Sequence, residues 1–207
     1  MTGRVTDYRT ASAPPTATRR RGAELTQAIY RAALEELAAS SFEELSFEKI
    51  APRAGTGKSV LYRRWSTTAE LVLAALKDHD AGLGKPLVPD TGALREDLLV
   101  LLIAFARVLD EPRGRALRPL LTQRPRHPEL FAQVMDQVIL PHQAVLLDCM
   151  RRAVDRGEAG PDRATARTAA IGPRLIVAES IDRGTVPDTE VEAIVDEVLL
   201  PLLARRG

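Results

Sequence analysis

The sequence predicts an all-α protein of about nine helices, with a small N-terminal three-helix unit followed by a larger helical bundle. Two observations carry this. Apolar residues recur at i, i+3, i+4 and i+7 from Leu25 to Leu202, with essentially no alternating strand pattern. Clusters of glycine and proline around 82–89, 125–128 and 157–161 punctuate those stripes, and no internal repeat or sustained heptad replaces them. Aromatic residues make up only 4% of the chain against 45% hydrophobic residues in all, so its core must be mostly Leu, Ala, Val and Ile.

Residues 1–18, rich in Thr, Ala, Pro and Arg without periodicity, read as a disordered tail. Arg19-Arg20-Arg21 follows, either as a solubilising cluster or as an arm that lies along phosphates or in a minor groove. Leu25, Ala28, Ile29, Ala32, Ala33 and Leu37 form the apolar face of a first helix, with Phe42 and Leu45 as packing anchors behind it. Ser46 is placed to cap a second short helix whose inner face is Phe47, Ile50, Ala51 and Ala54. Gly55-Thr56-Gly57 then turns the chain, because glycine reaches the left-handed region without a Cβ penalty. A third helix begins near Lys58. At about 100° per residue, Lys58, Ser59, Tyr62 and Arg63 share one side, and Val60, Leu61 and Trp65 share the other.

One side of that helix can pack and the other can read a surface. Between Glu48 and Glu70 there is no acid, whereas Lys49, Arg53, Lys58, Arg63 and Arg64 supply five cations. A short basic helix after a tight turn suits the DNA major groove. There Lys or Arg donates to guanine, Ser is adaptable and Tyr touches a thymine methyl or a phosphate. Arg64, at the margin of the packed side, is assigned to a phosphate. Residues 1–65 hold 11 Lys and Arg against 7 Asp and Glu, net +4; residues 66–207 hold 18 against 21, net −3. The basic excess therefore lies with the reading unit, where phosphate neutralisation needs it.

Beyond Trp65, Ser66-Thr67-Thr68 offers caps for a fourth helix carrying Leu71, Val72, Ala75 and Leu76. Leu94 to Leu109 is the most apolar helix and should be nearly surrounded. Pro112 closes it, Arg115 to Thr122 is a short sixth helix, and a long face from Leu130 to Val154 follows, with a bend expected at Pro141. Asp162 is placed to cap an eighth helix containing Gly172-Pro173, and Asp188 a last one. The last helix has Val191, Ile194, Val195, Val198, Leu199 and Leu202 in a stripe that needs a partner. The domain division read from this pattern is 1–18, 19–66 and 67–207.

The stretch AGTGKSVLYRRW, residues 54–65, resembles the signature of the TetR family of bacterial transcriptional regulators, whose usual form is AGVSKGTLYRHF. The similarity extends upstream through AALEELAASSFEELSFEKIA and downstream through LVLAAL, covering roughly Leu25 to Leu76. The resemblance implies a three-helix DNA-binding domain, an effector-binding helical domain and a homodimer joined through the last two helices. It implies double-stranded DNA as the target and repression as the usual mode. The family's DNA contacts correspond here to Ser46, Thr56, Lys58, Ser59, Tyr62 and Arg64, to which the charge pattern adds Arg63. The chain departs from the usual pattern in four ways. Pro52 stands for a polar residue inside the second helix, Gly57 for a serine cap, Ser40-Ser41 for a charged residue and glycine, and Thr68 for a lysine. Interior proline typically costs about 3 kcal/mol, so the second helix is expected to kink or end early. Pro52 and Gly57 also motivate the alternative of a helical small-molecule binding or adaptor protein without DNA binding.

A pocket between the middle helices is expected to use Phe105, Phe131, Met135, His142, Leu146 and Cys149, and to take an apolar or amphipathic small molecule. Gly57-Lys58-Ser59 superficially matches a phosphate-binding loop. That motif needs glycine where this chain has Pro52, and a strand where the pattern is helical. His79, His127 and His142 lack metal-ligand spacing, and no nucleophile or paired-carboxylate motif stands out, so neither metal, cofactor nor catalysis is expected. Cys149 is the only cysteine, and no signal pattern or 18-residue apolar run is present, which suggests a cytoplasmic protein with no membrane partner.

Overall fold

The computed structural model describes residues 22–122 and 125–205, and all its regular structure there is helical. The tail 1–18 and the Arg19-Arg20-Arg21 arm lie outside the described residues. Helix α1 (Ala23–Ala39) buries Ile29, Ala32, Ala33 and Leu37 of the expected stripe and also Leu34, while Leu25 and Ala28 at its start are half-buried. Two short helices follow, α2 (Phe47–Arg53) and α3 (Lys58–Tyr62). In α4 (Thr68–Lys77) the Thr67 hydroxyl accepts from the Glu70 N–H at 3.1 Å, and the Glu70 carboxylate accepts from the Ser66 N–H at 2.8 Å. Helix α4 packs along α1, and the Gln27 amide donates to both oxygens of Asp78 at its end.

Helix α5 (Leu94–Asp110) runs through the centre of the C-terminal half. Its start is held from two sides: the Leu94 N–H donates to Glu158 at 2.7 Å, and fully buried Asp97 accepts both the N–H and hydroxyl of Thr91 at 2.8 Å. That explains a buried acid at this position, since a carboxylate without such donors would be strongly destabilising. Short helices α6 (Pro112–Arg115) and α7 (Leu117–Thr122) lead back toward α1.

Helix α8 (Pro128–Val134), a π-helical stretch Met135–Ile139 and α9 (Leu140–Asp155) form one continuous helix. Sequence alone suggests a bend at Pro141, and the helix widens to the π pattern just before it. The end of α12 (Asp188–Ala193) does the same, with a π stretch Ile194–Leu199 two residues before Pro201 in α13 (Leu200–Leu203). Proline has no N–H and crowds the carbonyl one turn back, and a wider turn accommodates both defects without breaking the helix. Between them, α10 (Ala166–Ala169) and α11 (Ile171–Arg183) meet at Ala170, which places Pro173 in the first turn of α11 where no N–H is needed. The cap of α10 is Thr165, in a reciprocal pair with Thr168, rather than the expected Asp162, which lies beside Arg163. Asp188 is likewise the first helical residue after Pro187 and pairs with Arg107 at 2.7 Å.

Two apolar clusters result. The first joins α1–α4 to α7 and the upper part of the long helix through residues such as Leu34, Leu61, Leu76, Leu120 and Val134. The second joins α5 to α9, α11 and the last helix through Leu98, Leu102, Met150, Ile176 and Leu199. The segment Pro128–Asp155 is long and apolar enough to cross a membrane by composition, but its apolar residues divide between these two clusters. The stripe of the last helix is satisfied largely within its own chain: Val191, Ile194, Val195 and Leu199 are buried, whereas Leu202 and, on α11, Ile181 stay exposed.

Candidate nucleic-acid interface

The turn between α2 and α3 is built from local rules. The Ser46 hydroxyl accepts from the Lys49 N–H at 3.4 Å, and Phe47, Ile50 and Ala51 face inward. At the other end Gly55 takes φ +69°, the Thr56 N–H reaches the Ala51 carbonyl and the Gly55 N–H reaches Pro52, each at 3.0 Å. This paired closure is a glycine-terminated helix end. Pro52 is thus the penultimate residue of α2, which runs one residue further before the Gly55 turn closes it. It forfeits a bond only to the Glu48 carbonyl, one turn before the helix closes anyway. Gly57 precedes α3 in an extended conformation and supplies no side-chain cap.

The fully buried Leu61 anchors α3, with Val60 and Trp65 partly buried beside it. Trp65 leans on Tyr30 of α1, ring centroids 5.8 Å apart. With that side fixed, Lys58, Ser59, Tyr62, Arg63 and Arg64 are exposed, while Ser46 and Thr56 are half-buried at the rim. Tyr62 is 55% exposed even though its ring meets Phe47 edge-on at 4.8 Å. It is thus oriented without being covered.

The electrostatics differ from the sequence reading in one respect. Arg53 pairs with Glu36 at 2.9 Å and Glu35 at 3.8 Å, and Lys49 lies 3.7 Å from Glu44 and 3.9 Å from Glu36. These two cations fasten α2 to its neighbours. Arg64 donates to the Thr26 hydroxyl at 2.7 Å and lies over the Trp65 ring. Lys58 is 3.5 Å from Glu48, whose carboxylate also accepts from the Tyr62 hydroxyl at 3.3 Å. Its own backbone N–H holds the Glu48 carboxyl below the usual range; desolvation opposes this, and Lys58 and Tyr62 add to it. The Arg63 side chain makes no ion pair or hydrogen bond among the described residues, its backbone N–H donating to Ser59 within the helix. The acid-free run 49–69 gave no warning of this, because the partners of Lys49, Arg53 and Lys58 come from outside it.

A second site lies in the C-terminal half, a cavity of about 270 Å³ between the loop after α4, α5, α6, α9 and the start of α11. Phe105, His142 and Leu146 line it as expected; Phe131, Met135 and Cys149 are not among its walls. Cys149 is buried beside Arg152, and burial pushes its thiol up. The His142 Nδ1 donates to the Val138 carbonyl at 2.7 Å, since a carbonyl can only accept. Sequence reasoning missed the wall formed by Leu83, Lys85, Pro86 and Leu87. These residues belong to no periodic stripe; the loop before them is held by Arg113 on the Gly82 carbonyl at 2.9 Å and by the Leu83 N–H on the Leu76 carbonyl at 2.8 Å.

Comparison with known proteins agrees with this geometry. Residues 29–75 match the family model described as bacterial regulatory proteins, tetR family, and residues 88–198 match the tetracyclin repressor-like C-terminal domain. The uncharacterized HTH-type transcriptional regulator Rv1556 of Mycobacterium tuberculosis is 31% identical over 207 residues, covering 99% of this chain and 98% of that protein. The DNA-binding transcriptional repressor TetR of Mycobacteroides abscessus is 31% identical over 188 residues, covering 88% and 96%. The crystal structure of the TetR family transcription regulator SCO0332 superposes with a TM-score of 0.62 at 26% identity, over 88% of this chain and 100% of that one. A glycine-closed helix pair presenting exposed Lys58, Tyr62 and Arg63, and matches that run nearly end to end, establish that the chain belongs to the TetR family of bacterial transcriptional regulators.

Proposed function

We propose that this regulator acts as a repressor that binds a palindromic operator as a homodimer through its last two helices and is released by a small apolar or amphipathic effector. The observation that carries the reading is the exposed α3 face of Lys58, Ser59, Tyr62 and Arg63 set on buried Leu61. In this reading Ser46, Thr56 and Arg64 position the backbone, and the two α3 helices enter successive major grooves about 34 Å apart. Residues 19–66 serve as the reading unit and residues 67–207 bind effector and partner, in the cytoplasm. The name of the Mycobacteroides relative supports repression.

The cavity supports effector response. Its wall at Leu83–Leu87 follows directly on α4, and α4 is tied to α1 through Asp78 and Gln27 and to the long helix through Lys77 and Gln137 at 2.8 Å. A ligand that repacks this wall shifts α4 and with it the separation of the two reading helices, favouring the conformation that fits DNA poorly.

The test selects duplexes from random DNA and titrates them by anisotropy at several salt concentrations. Lys58→Ala should cost about 1 to 3 kcal/mol and relax base preference at one position. No salt-dependent duplex binding by the folded wild-type protein would refute the reading and favour a helical small-molecule-binding protein instead.

A further inference from the structure

Glu48 stands on the first turn of α2, yet its side chain reaches across the turn to α3. One carboxylate oxygen lies 3.5 Å from the Lys58 ammonium and 3.3 Å from the Tyr62 hydroxyl. The other ion pairs of this unit, those of Lys49 and Arg53, point back toward α1 and the loop before α2. Glu48 alone among the described acids is recorded against α3. The contact is open to solvent, with the Glu48 and Lys58 side chains 52% and 65% exposed, so it contributes little to folding. The Tyr62 ring that takes part in it also packs edge-on against Phe47, at 86° between planes.

We propose that Glu48 is a specificity-determining residue, an internal anionic competitor that holds Lys58 and Tyr62 and must be displaced before either group reaches DNA. The inference rests on the DNA-binding reading of α3. Phosphates of any duplex attract Lys58 equally well, so unassisted it would bind random DNA. With Glu48 in place, a random duplex meets a neutralised lysine, an occupied tyrosine and a fixed negative charge beside its own phosphates. An operator offers base-edge acceptors in the positions Lys58 and Tyr62 reach, and those contacts offset the displacement. Specificity is a difference between affinities, and a built-in repulsive element widens it.

The experiment compares wild type, Glu48→Gln, Lys58→Met and the double variant on a duplex selected from random DNA and on a scrambled duplex, between 50 and 200 mM salt. For Glu48→Gln, affinity for the scrambled duplex should rise at least about threefold, with a salt slope steeper by about one per protomer. The ratio of selected to scrambled affinity should fall. In the Lys58→Met background the gain should shrink to the smaller part that comes from freeing Tyr62 and removing the charge beside the phosphates, since most of the effect passes through Lys58. An unchanged slope, an equal rise on both duplexes, or a gain undiminished by Lys58→Met overturns the proposal while leaving DNA binding intact. Absence of wild-type binding to either duplex overturns the DNA-binding reading itself and this inference with it.

Discussion

The two arginines Arg53 and Arg63 are indistinguishable by composition but opposite in their surroundings, and substituting each with alanine separates scaffold from interface. Arg63 is exposed and without a partner among the described residues, whereas Arg53 is held at 2.9 Å by Glu36, whose side chain is only 12% exposed. Each phosphate contact contributes about 0.9 to the slope of log affinity against log salt. Over a fourfold salt range, from 50 to 200 mM, one contact thus accounts for a change of about 3.5-fold, or about 12-fold for the pair in a dimer. Arg63→Ala should remove that much of the salt dependence without altering the unfolding midpoint. Arg53→Ala should leave the slope unchanged and lose at most about 1 kcal/mol of stability, as partly exposed ion pairs do. Anisotropy titration of a fluorescent duplex across the salt range measures the first quantity, and urea unfolding followed by circular dichroism measures the second. If Arg53→Ala lowers the slope as far as Arg63→Ala, the Glu35 and Glu36 pairs give way on DNA, and counting only unpaired cations is the wrong way to predict the footprint.

Leu61→Ala should destabilise the protein by about 2 to 5 kcal/mol, because it empties the one fully buried position of α3; a loss below about 1 kcal/mol in urea unfolding would show that α3 is held mainly by Trp65. Ala104, exposed at the cavity edge, offers a way to block that space without disturbing the core. Ala104→Trp should abolish the fluorescence enhancement of anilinonaphthalene sulfonate while preserving duplex affinity, and undiminished dye binding would place the ligand site elsewhere. Glu158 is held below its ordinary carboxyl value of 4.5, first by Arg156 and then by the Leu94 N–H. The folded state thus binds that proton less tightly than the unfolded chain, so its stabilisation is present above the unfolded value and is lost as pH falls through the folded one. Glu158→Gln should flatten the decline in thermal midpoint on acidification below about pH 4.5, and an unaltered acid limb would remove Glu158 from the cause.

Much of the fold was legible in the chain because its governing interactions are short in sequence. Ser46 capping α2 and Gly55 closing it each depend on residues within five positions, and the stripes of α1, α4 and α5 depend on helical period alone. Where sequence rules were too coarse, the reason is that they name a penalty without saying how it is met. Pro52 meets it by standing one residue before the end of α2, and Pro141 by following a π turn. Asp162 satisfies the composition rule for a cap, but Thr165 has the geometry.

The same distinction divides the reading surface. That α3 has a packed side and an exposed side follows from the spacing of Leu61 and Trp65 against Lys58 and Tyr62, and needs no partner to define it. Which cations remain available is a tertiary matter. Glu35, Glu36 and Glu48 reach Lys49, Arg53 and Lys58 only after α1, α2 and α3 have packed, because a pairing within 4 Å between residues 10 to 18 apart requires the chain to return on itself. The cavity wall at Leu83–Leu87 arises in the same way, from a loop without periodicity that Arg113, 31 residues on, ties down at the Gly82 carbonyl. Local order thus determined that a helix-turn-helix exists and which way it faces; long-range packing decided what charge it shows and what space lies behind it.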